Sequence, residues 1–326
     1  MRAAIYRSTG PASDVLELVD LDRPEPGPGQ VLVEIVISAI NPTDVKTRAG
    51  LTPRPIDGFQ VPHVDGVGTI IGVGPGVDAA RLGERVWVFL ASVGNRWGTA
   101  AEYCMVSAEQ AVPLPAEASW ELGACFGVPA LTAVQMLCLG GSIDGKTVLV
   151  QGGTGAVGHF AIQLARWMGA TVIATAGTAE KAAQVVETGA HAGLCYRDAD
   201  FVDQVRAIGP VDLITEVSLV DNWESDLAVL RHRGSIVTYA TDARPLTMPL
   251  RPAMVASADL RFYLLYADPR ESLLRGALLL DEAARAGALT ALPIHAYALD
   301  DIVRAHERVE ALEQGKTVLD LRLAAG

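Results

Sequence analysis

Residues 147–168 of this 326-residue chain, TVLVQGGTGAVGHFAIQLARWM, restrict its fold more than any other stretch. A short β-branched and apolar run, Thr147 to Gln151, leads directly into a loop with the glycine spacing G-x-G-x-x-G. Apolar residues then recur at intervals of three and four, at Val157, Phe160, Ala161, Leu164, Ala165 and Met168. Because that interval places them on one helical face, the stretch predicts a strand, a glycine turn and an amphipathic helix in succession.

The loop itself consists of Gly153, Thr154, Gly155, Ala156, Val157 and Gly158. A turn that binds a pyrophosphate needs tight geometry at Gly153, a bare backbone at Gly155 and close helix–strand contact at Gly158. The first N–H groups of the following helix would then point at the phosphates. The strand before the loop and the helix after it therefore predict a dinucleotide-binding site.

The next strand, Thr171 to Thr175, is followed by small residues where a carboxylate would be expected. In an NAD-binding unit, an Asp or Glu about 20 residues beyond the first glycine holds the ribose 2′-hydroxyl. Here Gly177 and Thr178 occupy that region, and Lys181 follows. Because a carboxylate would repel a 2′-phosphate and a lysine would attract one, we expect NADP(H) rather than NAD(H). A solvated lysine on the next helix is the alternative interpretation of Lys181.

Length and charge restrict the class of protein. A chain that is 50% hydrophobic over 326 residues can bury a large core and is expected to form two domains. The net charge of −12 argues against a nucleic acid or an anionic membrane surface as partner. With neither a basic, apolar N-terminal signal nor a long uncharged run, the protein is expected to be cytoplasmic. The cysteines are scattered and are expected to be free thiols, namely Cys104, Cys125, Cys138 and Cys195.

Strand and helix patterns alternate through the middle of the chain. Beyond the glycine loop, the predicted strands are 171–175, 194–196, 211–216 and 235–240, and the predicted helices are 179–188, 201–208 and 223–230. Repeated strand–helix units of this length predict a parallel, doubly wound sheet.

The two ends of the chain have a different pattern. About 120 N-terminal residues are rich in Pro and Gly and contain short alternating strands, which predicts an irregular, mostly β domain. Near the C-terminus, helices at 271–286 and 300–314 flank strands at 292–294 and 318–323. We therefore expect residues 1–123 plus 270–326 to form one catalytic domain, with a nucleotide-binding domain at 124–269 inserted into it.

Further motifs are spread over nearly the full length. They are INPTDVKTRAG at 40–50, PHVDGVGTIIGVG at 62–74, LGERVW at 82–87, GTAAEY at 98–103, GVPALTA at 127–133, GTAEK at 177–181 and LDDIVRAHE at 299–307. In their order and spacing, the chain resembles the medium-chain dehydrogenase/reductase superfamily and its zinc-free quinone oxidoreductase, or zeta-crystallin, branch. The resemblance implies an α/β protein with a GroES-like, mostly β catalytic domain and an inserted Rossmann domain.

Alcohol dehydrogenases of this superfamily use zinc to polarise the substrate oxygen. The resemblance places their Cys ligand at Asn41 and their Gly-His-Glu at His63, Val64 and Asp65, so that Val64 replaces the His ligand. Their structural zinc loop needs four closely spaced cysteines, and this region offers Cys104 alone. We therefore expect a metal-free protein in which His63 is a surface or hydrogen-bonded residue.

Without zinc, another group must stabilise negative charge on the substrate carbonyl oxygen. The resemblance implies that Asn41 lies beside the nicotinamide and donates a hydrogen bond; the alternative is that Asn41-Pro42 shapes a turn. Lys46 stands where many quinone oxidoreductases carry tyrosine, and a cation there would stabilise a developing enolate. A surface lysine on a helical turn is the alternative. Asn41 and Lys46 are thus the predicted catalytic residues, with Asn41 also a cofactor contact.

The resemblance implies further cofactor contacts. Thr132 would lie near the nicotinamide, or would pack within a helix. Tyr196 would help to hold the 2′-phosphate side, or would pack at the edge of the sheet. Ala240 and Thr241 would pass the nicotinamide ribose, because ligands bind beyond the carboxyl ends of such strands.

Aromatic residues suggest the kind of substrate. Trp97, Phe262, Tyr263 and Tyr266 could form an apolar wall for a flat conjugated molecule. Residues 261–266 also have the alternation of a buried strand, and in the family that strand pairs two subunits, which implies a homodimer.

The leading hypothesis is therefore an NADPH-dependent, metal-free oxidoreductase that transfers hydride to a quinone or an α,β-unsaturated carbonyl compound. A dedicated enoyl reductase or tailoring enzyme of secondary metabolism would share the fold and cofactor and differ in substrate. A non-catalytic NADPH-binding protein is the third possibility.

Overall fold

The computed structural model describes residues 1–241 and 244–324, and contacts between residues divide the chain into two compact units. Unit 1 consists of Met1–Val128 and Thr290–Gly326, and unit 2 of Pro129–Leu289. Unit 2 is thus inserted into the sequence of unit 1. The sequence predicted boundaries after residues 123 and 269, whereas the units divide after residues 128 and 289. The second boundary lies later because the helix that begins at residue 270 packs against the first helix of unit 2.

Strands predominate in the N-terminal part of unit 1. The strands are β1 (Arg2–Ile5), β2 (Glu17–Asp20), β3 (Gln30–Ala39), β4 (Asp65–Val73), β5 (Arg85–Val88), β6 (Tyr103–Ser107) and β7 (Ala111–Pro113). The α-helices are α1 (Ala12–Val15), α2 (Pro42–Ala49) and α3 (Trp120–Gly123). Short 3₁₀ turns lie at Ala79–Arg81 and Ala108–Gln110.

Strands and helices alternate in unit 2. The helices are α4 (Leu131–Leu139), α5 (Ala156–Trp167), α6 (Ala179–Thr188), α7 (Phe201–Ile208), α8 (Leu219–Val229), α9 (Leu250–Ala256) and α10 (Arg270–Arg285). The strands are β8 (Thr147–Val150), β9 (Thr171–Ala176), β10 (Ala192–Cys195), β11 (Val211–Glu216), β12 (Leu230–Thr238) and β13 (Asp259–Phe262). The chain then returns to unit 1 with β14 (Ile294–Tyr297), α11 (Ile302–Glu310) and β15 (Lys316–Asp320).

A seven-stranded sheet organises unit 1, in the order β14–β15–β3–β4–β5–β7, with β6 also paired to β3. The pairs are antiparallel except for β14 and β15, which are parallel. Aliphatic side chains such as Val33, Ile70 and Val86 are fully buried on this sheet. The predicted mostly β domain is confirmed. Its register places Ala39 opposite both Val318 of β15 and Asp65 of β4.

The sheet of unit 2 is parallel throughout, in the order β10–β9–β8–β11–β12–β13. Counted within the unit, this is the order 3-2-1-4-5-6 of a Rossmann fold, so the predicted doubly wound sheet is confirmed. The apolar face of α5 packs on it, with Phe160, Ala161, Leu164 and Ala165 fully buried. Val157 and Met168, at the two ends of that face, are half-buried.

Two strands of unit 2 differ from the predicted ones. β12 begins at Leu230 rather than at 235, and a register shift against β11 leaves residues 231–234 as an irregular bulge. β13 ends at Phe262, whose side chain is 73% exposed on the outermost strand. The expectation of a buried strand over 261–266 is therefore wrong, since a 3₁₀ turn at Leu265–Ala267 follows. The homodimer stays a prediction.

The cysteines carry no disulfide. Cys104 and Cys125 are buried, Cys195 is half-buried and Cys138 is exposed. In residues 1–241 and 244–324, no helix has the length and apolar composition needed to cross a membrane.

Candidate functional site

The glycine loop joins β8 to α5 at the carboxyl end of the central strand. Gly152 has a φ of 69°, so the left-handed residue of the turn lies one position before Gly153. Packing restricts Gly153 instead, since a Cβ there would lie 2.9 Å from the side chain of Val185. A Cβ on Gly158 would lie 2.3 Å from the carbonyl oxygen of Gly152, so the helix and the loop are in close contact.

The start of α5 is open toward a ligand. Gly155 precedes the helix and is exposed, and a Cβ there would approach no atom closer than 3.3 Å. Among the residues that the structure describes, no side chain caps the helix. Thr154, Ala156 and Val157 are half-buried. Since the first N–H groups of a helix lack partners within it, this uncapped end presents backbone donors and a partial positive charge to an anion.

The loop after β9 lies against the end of β10. Tyr196 N–H donates to the carbonyl oxygen of Ala176 at 3.1 Å, which brings Tyr196 beside Gly177. A Cβ on Gly177 would lie 3.0 Å from the Tyr196 hydroxyl oxygen. The guanidinium of Arg197 lies 5.6 Å from the ring centroid of Tyr196. Sequence analysis missed Arg197, whose position depends on the pairing of β10 with β9.

Thr178 and Lys181 begin α6. The Thr178 hydroxyl accepts a hydrogen bond from the Lys181 backbone N–H at 3.3 Å, and both residues are exposed. Glu180 lies in the same turn, where hydrogen bonds from its own backbone and from Thr178 lower the pKa of its carboxyl. Its negative charge, which sequence analysis did not weigh, opposes the attraction of Lys181 for a phosphate.

The other predicted cofactor contacts also lie in unit 2. Thr132 is buried in the first turn of α4. Ala240 and Thr241 are exposed just beyond the carboxyl end of β12. Because β8 and β12 run parallel in one sheet, these two residues and the glycine loop follow the same ends of the strands.

A buried polar chain supports the glycine loop from below, and sequence analysis did not identify it. The Gly152 N–H donates to the Thr175 hydroxyl at 3.0 Å, and Thr175 donates to Gln151 Oε1 at 2.7 Å. Gln151 Nε2 then donates to Asp226 Oδ1 at 2.8 Å. Gly152, the residue just before the loop, is thus tied to a carboxyl group on α8.

Asp226 is paired electrostatically with Glu216 at the end of β11. Both side chains are fully buried. Burial raises the pKa of both carboxyls, and the charge of Glu216 raises that of Asp226 further. Glu216 accepts hydrogen bonds from the Ser218 N–H and from Asn222, whereas Asp226 Oδ2 accepts none from the residues the structure describes. Burial and the charge of Glu216 therefore favour the neutral form of Asp226.

In unit 1, three neighbouring strands assemble a second buried polar cluster. Asn41 follows β3, Asp65 begins β4 and Lys316 begins β15. Lys316 Nζ donates to Asn41 Oδ1 at 2.6 Å, and Asn41 Nδ2 donates to Asp65 Oδ2 at 2.7 Å. All three side chains are at most 3% exposed. The orientation of the Asn41 amide is therefore fixed on both sides.

Backbone groups complete the cluster. Asp65 Oδ2 also accepts from the Val128 N–H at 2.7 Å, and a Cβ on Gly127 would lie 2.1 Å from Asp65 Oδ1. The Asn41 N–H donates to Asp44 Oδ2 at 2.8 Å, which caps α2. Burial raises the pKa of Asp65 to about 6, against the opposing charge of Lys316. Burial and the charge of Asp65 raise the pKa of Asp44 to about 7.

Lys46, the predicted catalytic cation, has an exposed side chain on α2. The cation that contacts Asn41 is Lys316, which sequence analysis missed. Arg48, on the same helix, is buried and contacts the carbonyl oxygen of Gly10 at 2.5 Å. The role of Lys46 stays a prediction.

Hydrogen bonds beneath Asp65 form a chain whose direction is set by the backbone carbonyl of Asp65. The Thr99 hydroxyl donates to that oxygen at 2.6 Å, and therefore accepts from Ser38 at 2.7 Å. Ser38 in turn accepts from His63 Nδ1 at 2.8 Å, and His63 Nε2 accepts from His306 Nε2 at 2.9 Å. Burial lowers the pKa of both histidines, so both are neutral. The chain ends at a carbonyl that takes up no proton, so it anchors Asp65 rather than conducting protons.

The predicted aromatic residues have different surroundings. Trp97 packs edge-to-face on Phe59 in unit 1, with ring centroids 5.6 Å apart. The Tyr263 hydroxyl donates to Asp268 at 3.0 Å, and burial and the charge of Asp268 raise the pKa of Tyr263. That hydroxyl is therefore a poor proton donor. Phe262 is exposed on β13 and Tyr266 lies in the following 3₁₀ turn.

Potential metal ligands are dispersed. Over residues 1–241 and 244–324, no three His, Cys, Asp or Glu side chains are grouped so that they could hold a metal ion. Val64, which replaces the expected His ligand, is 1% exposed. Beside it, His63 is held by Ser38 and His306.

Two family models match the chain, one in each unit. The model described as alcohol dehydrogenase GroES-like domain matches residues 27–116, in unit 1. The model described as zinc-binding dehydrogenase matches residues 156–277, in unit 2. Together they follow the order of the two folds along the chain.

Quinone oxidoreductases are similar over nearly the full length. That of Lama guanicoe is 30% identical over 316 residues, which cover 95% of this chain and 94% of that protein. A solved mycobacterial quinone oxidoreductase has a TM-score of 0.86 at 30% identity and covers 98% of this chain and 99% of its own. The Escherichia coli quinone oxidoreductase, solved with NADPH, has a TM-score of 0.83 at 27% identity, with coverages of 98% and 100%.

Replacing Asp226 by Asn tests the assignment of the proton, because asparagine has the shape of the neutral acid. A pKa raised on folding contributes stability that is complete below the unfolded value, about 3.9, and is lost as pH rises through the folded value. At pH 8 the Asp226→Asn protein should melt about 2–4 °C higher than the native protein, the shift for about 1 kcal/mol in a domain of this size. The difference should vanish near pH 4.

Thermal unfolding of both proteins across this pH range checks the expectation, with exposed Asp198→Asn as the matched control. The same shift in melting temperature for Asp198→Asn, or an Asp226→Asn protein that is less stable at every pH, would contradict the assignment of the proton to Asp226.

Proposed function

We propose that this protein transfers hydride from NADPH to a quinone or an α,β-unsaturated carbonyl compound, because the chain belongs to the quinone oxidoreductase branch of the medium-chain dehydrogenase/reductase superfamily. One observation carries the choice of cofactor. The glycine loop at the carboxyl end of β8 leads into a helix whose start has no side-chain cap among the described residues. After β9, Gly177 and Thr178 stand where an NAD-binding unit would have a carboxylate. A mycobacterial neighbour as well as the one from Escherichia coli was solved with NADPH.

The residues of unit 2 fit this cofactor. Gly155 leaves its Cβ position open to a ligand, while Gly153 and Gly158 let the loop pack closely on its neighbours. The backbone donors of α5 would bind the pyrophosphate. Thr178, Lys181, Tyr196 and Arg197 would receive the 2′-phosphate, with Glu180 opposing them. The backbone at Ala240 and Thr241 and the side chain of Thr132 would serve the nicotinamide half. When bound, NADPH supplies the hydride.

Unit 1 supplies the electrostatic contribution. Hydride addition to a conjugated carbon leaves negative charge on the carbonyl oxygen, and a fixed dipole or cation in a dry site stabilises that charge strongly. The Asn41 amide has such a fixed orientation, because Lys316 holds its oxygen and Asp65 holds its nitrogen. Lys316 places a positive charge beside Asn41, the position at which the resemblance expects a zinc ligand in alcohol dehydrogenases. We infer that Lys316 acts through Asn41 as a positioning residue.

For a quinone, the balanced reaction consumes one quinone, one NADPH and one proton and yields a hydroquinone and NADP⁺. The proton is taken from solvent in this proposal. Tyr263 is unsuited to supply it, since its hydroxyl is committed to Asp268.

Activity is tested by following the absorbance of reduced nicotinamide with four substrates: a simple quinone, an enone, an enoyl thioester and a saturated ketone. We expect turnover with the quinone or the enone and none with the saturated ketone, because only a conjugated acceptor forms an enolate. Turnover confined to the thioester would favour the dedicated enoyl reductase. NADPH binding without turnover of any substrate would contradict the proposal and favour the non-catalytic alternative.

Cofactor choice is tested by Lys181→Ala. Loss of a charge-assisted contact should weaken the binding of NADPH by about 1–3 kcal/mol and leave the binding of NADH nearly unchanged. Glu180→Gln is the matched variant, in which a negative charge is removed instead of a positive one. It should strengthen the binding of NADPH. Dissociation constants for both cofactors check the pair. Equal weakening of NADPH and NADH by Lys181→Ala would show that Lys181 does not contact the phosphate.

A further inference from the structure

The amino-end side of the unit 2 sheet has a cavity of about 750 Å³ that the proposed function does not use. Lys146, just before β8, lines it together with Asp212 near the start of β11 and residues 231–233 and 235 of β12. The glycine loop instead follows the carboxyl end of β8. Dinucleotides bind beyond the carboxyl ends of such strands, so this cavity is a separate site.

The cavity is cationic although the chain has a net charge of −12. Lys146, Arg231 and Arg233 line it against a single acid among the described lining residues, Asp212. Asp212 forms an ion pair with Arg231 and accepts from the Thr147 N–H at 2.9 Å. Lys146 and Arg233 have no side-chain partner within the part of the chain that the structure describes. Two uncompensated positive charges in a concave site attract an anion.

The backbone at Arg233 is strained. Its φ is 63°, in the left-handed region that long side chains rarely adopt. The residue lies in the bulge of β12 and is exposed, so no buried packing offsets the strain. Bulges of this kind redirect side chains next to functional sites. Strain without compensating contacts suggests that Arg233 is retained for a ligand.

An apolar cavity of about 380 Å³ adjoins the cationic one, and Ile143 lines both. Its walls include Leu137 of α4, Trp167 of α5 and Leu279 of α10. None of the described residues that line it carries a charge. A ligand that reached both cavities would therefore need an anionic end and an apolar end.

We propose that the two cavities form one binding site for an amphiphilic anion. Lys146 and Arg233 would bind its carboxylate or phosphate head, and its apolar chain would pass Ile143 into the second cavity. The volumes lie within the range of small-molecule sites, about 300–1,000 Å³. This site is independent of the proposed hydride transfer and of NADPH.

Calorimetric titration of the full chain with dodecanoate, below its micelle concentration, tests the site. Dodecyl phosphate distinguishes a phosphate head from a carboxylate head, while dodecanol and inorganic phosphate each lack one half of the ligand. We expect one site per chain for one or both amphiphilic anions, and at least tenfold weaker binding of dodecanol and of inorganic phosphate. Equal binding of dodecanol, or no binding of either anion, would overturn the proposal.

Variants separate the two halves of the site. Arg233→Gly removes the backbone strain, so it should raise the melting temperature. It also removes the guanidinium, so it should weaken binding of the anion about tenfold. Lys146→Gln should weaken it similarly. Leu279→Gln should weaken binding of the amphiphile and leave the binding of inorganic phosphate unchanged. Arg251→Gln, an exposed charge change on α9, is the control and should have no effect.

Affinities unchanged in Arg233→Gly and Lys146→Gln would place any dodecanoate binding elsewhere and refute the site. A folded Arg233→Gly protein with a lower melting temperature would refute the inference from strain.

Discussion

The hydrogen bond from Lys316 to Asn41 holds the buried polar cluster of unit 1 together. It joins residues 275 positions apart, since β15 returns after the whole of unit 2 to pair with β3. A buried ammonium is costly unless it is paired. Here its neighbours are an amide and two acids, and burial raises the pKa of Asp44 to about 7 and that of Asp65 to about 6. An acid with a pKa of about 6 is mostly ionised at pH 7, so the Asp65 carboxylate balances the charge of Lys316, and the two groups together hold the Asn41 amide in one orientation.

In unit 2, the glycine loop is held by hydrogen bonds on one side and is open on the other. Below the glycine loop, Thr175 and Gln151 connect the Gly152 N–H to the neutral acid Asp226. On the other side, no side chain of residues 1–241 and 244–324 caps the first N–H groups of α5. The loop is thus held by buried hydrogen bonds on one face and leaves its donors to a ligand on the other. In both units a buried polar network orients a small number of groups, and each network contains carboxyls whose pKa is raised by burial.

Local features of this fold could be predicted from the sequence, and features that depend on distant pairing could not. The helices at 179–188 and 201–208 and the strand at 211–216 coincide with α6, α7 and β11, because periodicity and glycine stops report local structure. Lys316 lies in a short strand, and no spacing in the chain links it to Asn41. Asp226 occupies a helix position whose burial follows from packing, and Arg233 lies in a bulge created by register. The resemblance therefore identified Lys46, at the position of a family tyrosine, whereas strand pairing brings Lys316 into contact with Asn41.

Lys316 supplies the positive charge next to Asn41. Lys316→Met removes that charge at nearly constant shape, and Lys46→Met makes the same change at the exposed lysine of α2. We expect Lys316→Met to lower kcat about 100-fold, the effect of losing one oxyanion-stabilising interaction, while the dissociation constant of NADPH stays within about twofold. Lys46→Met should retain nearly full kcat. Full turnover by a folded Lys316→Met protein, or a loss confined to Lys46→Met, would contradict a role for Lys316 in turnover.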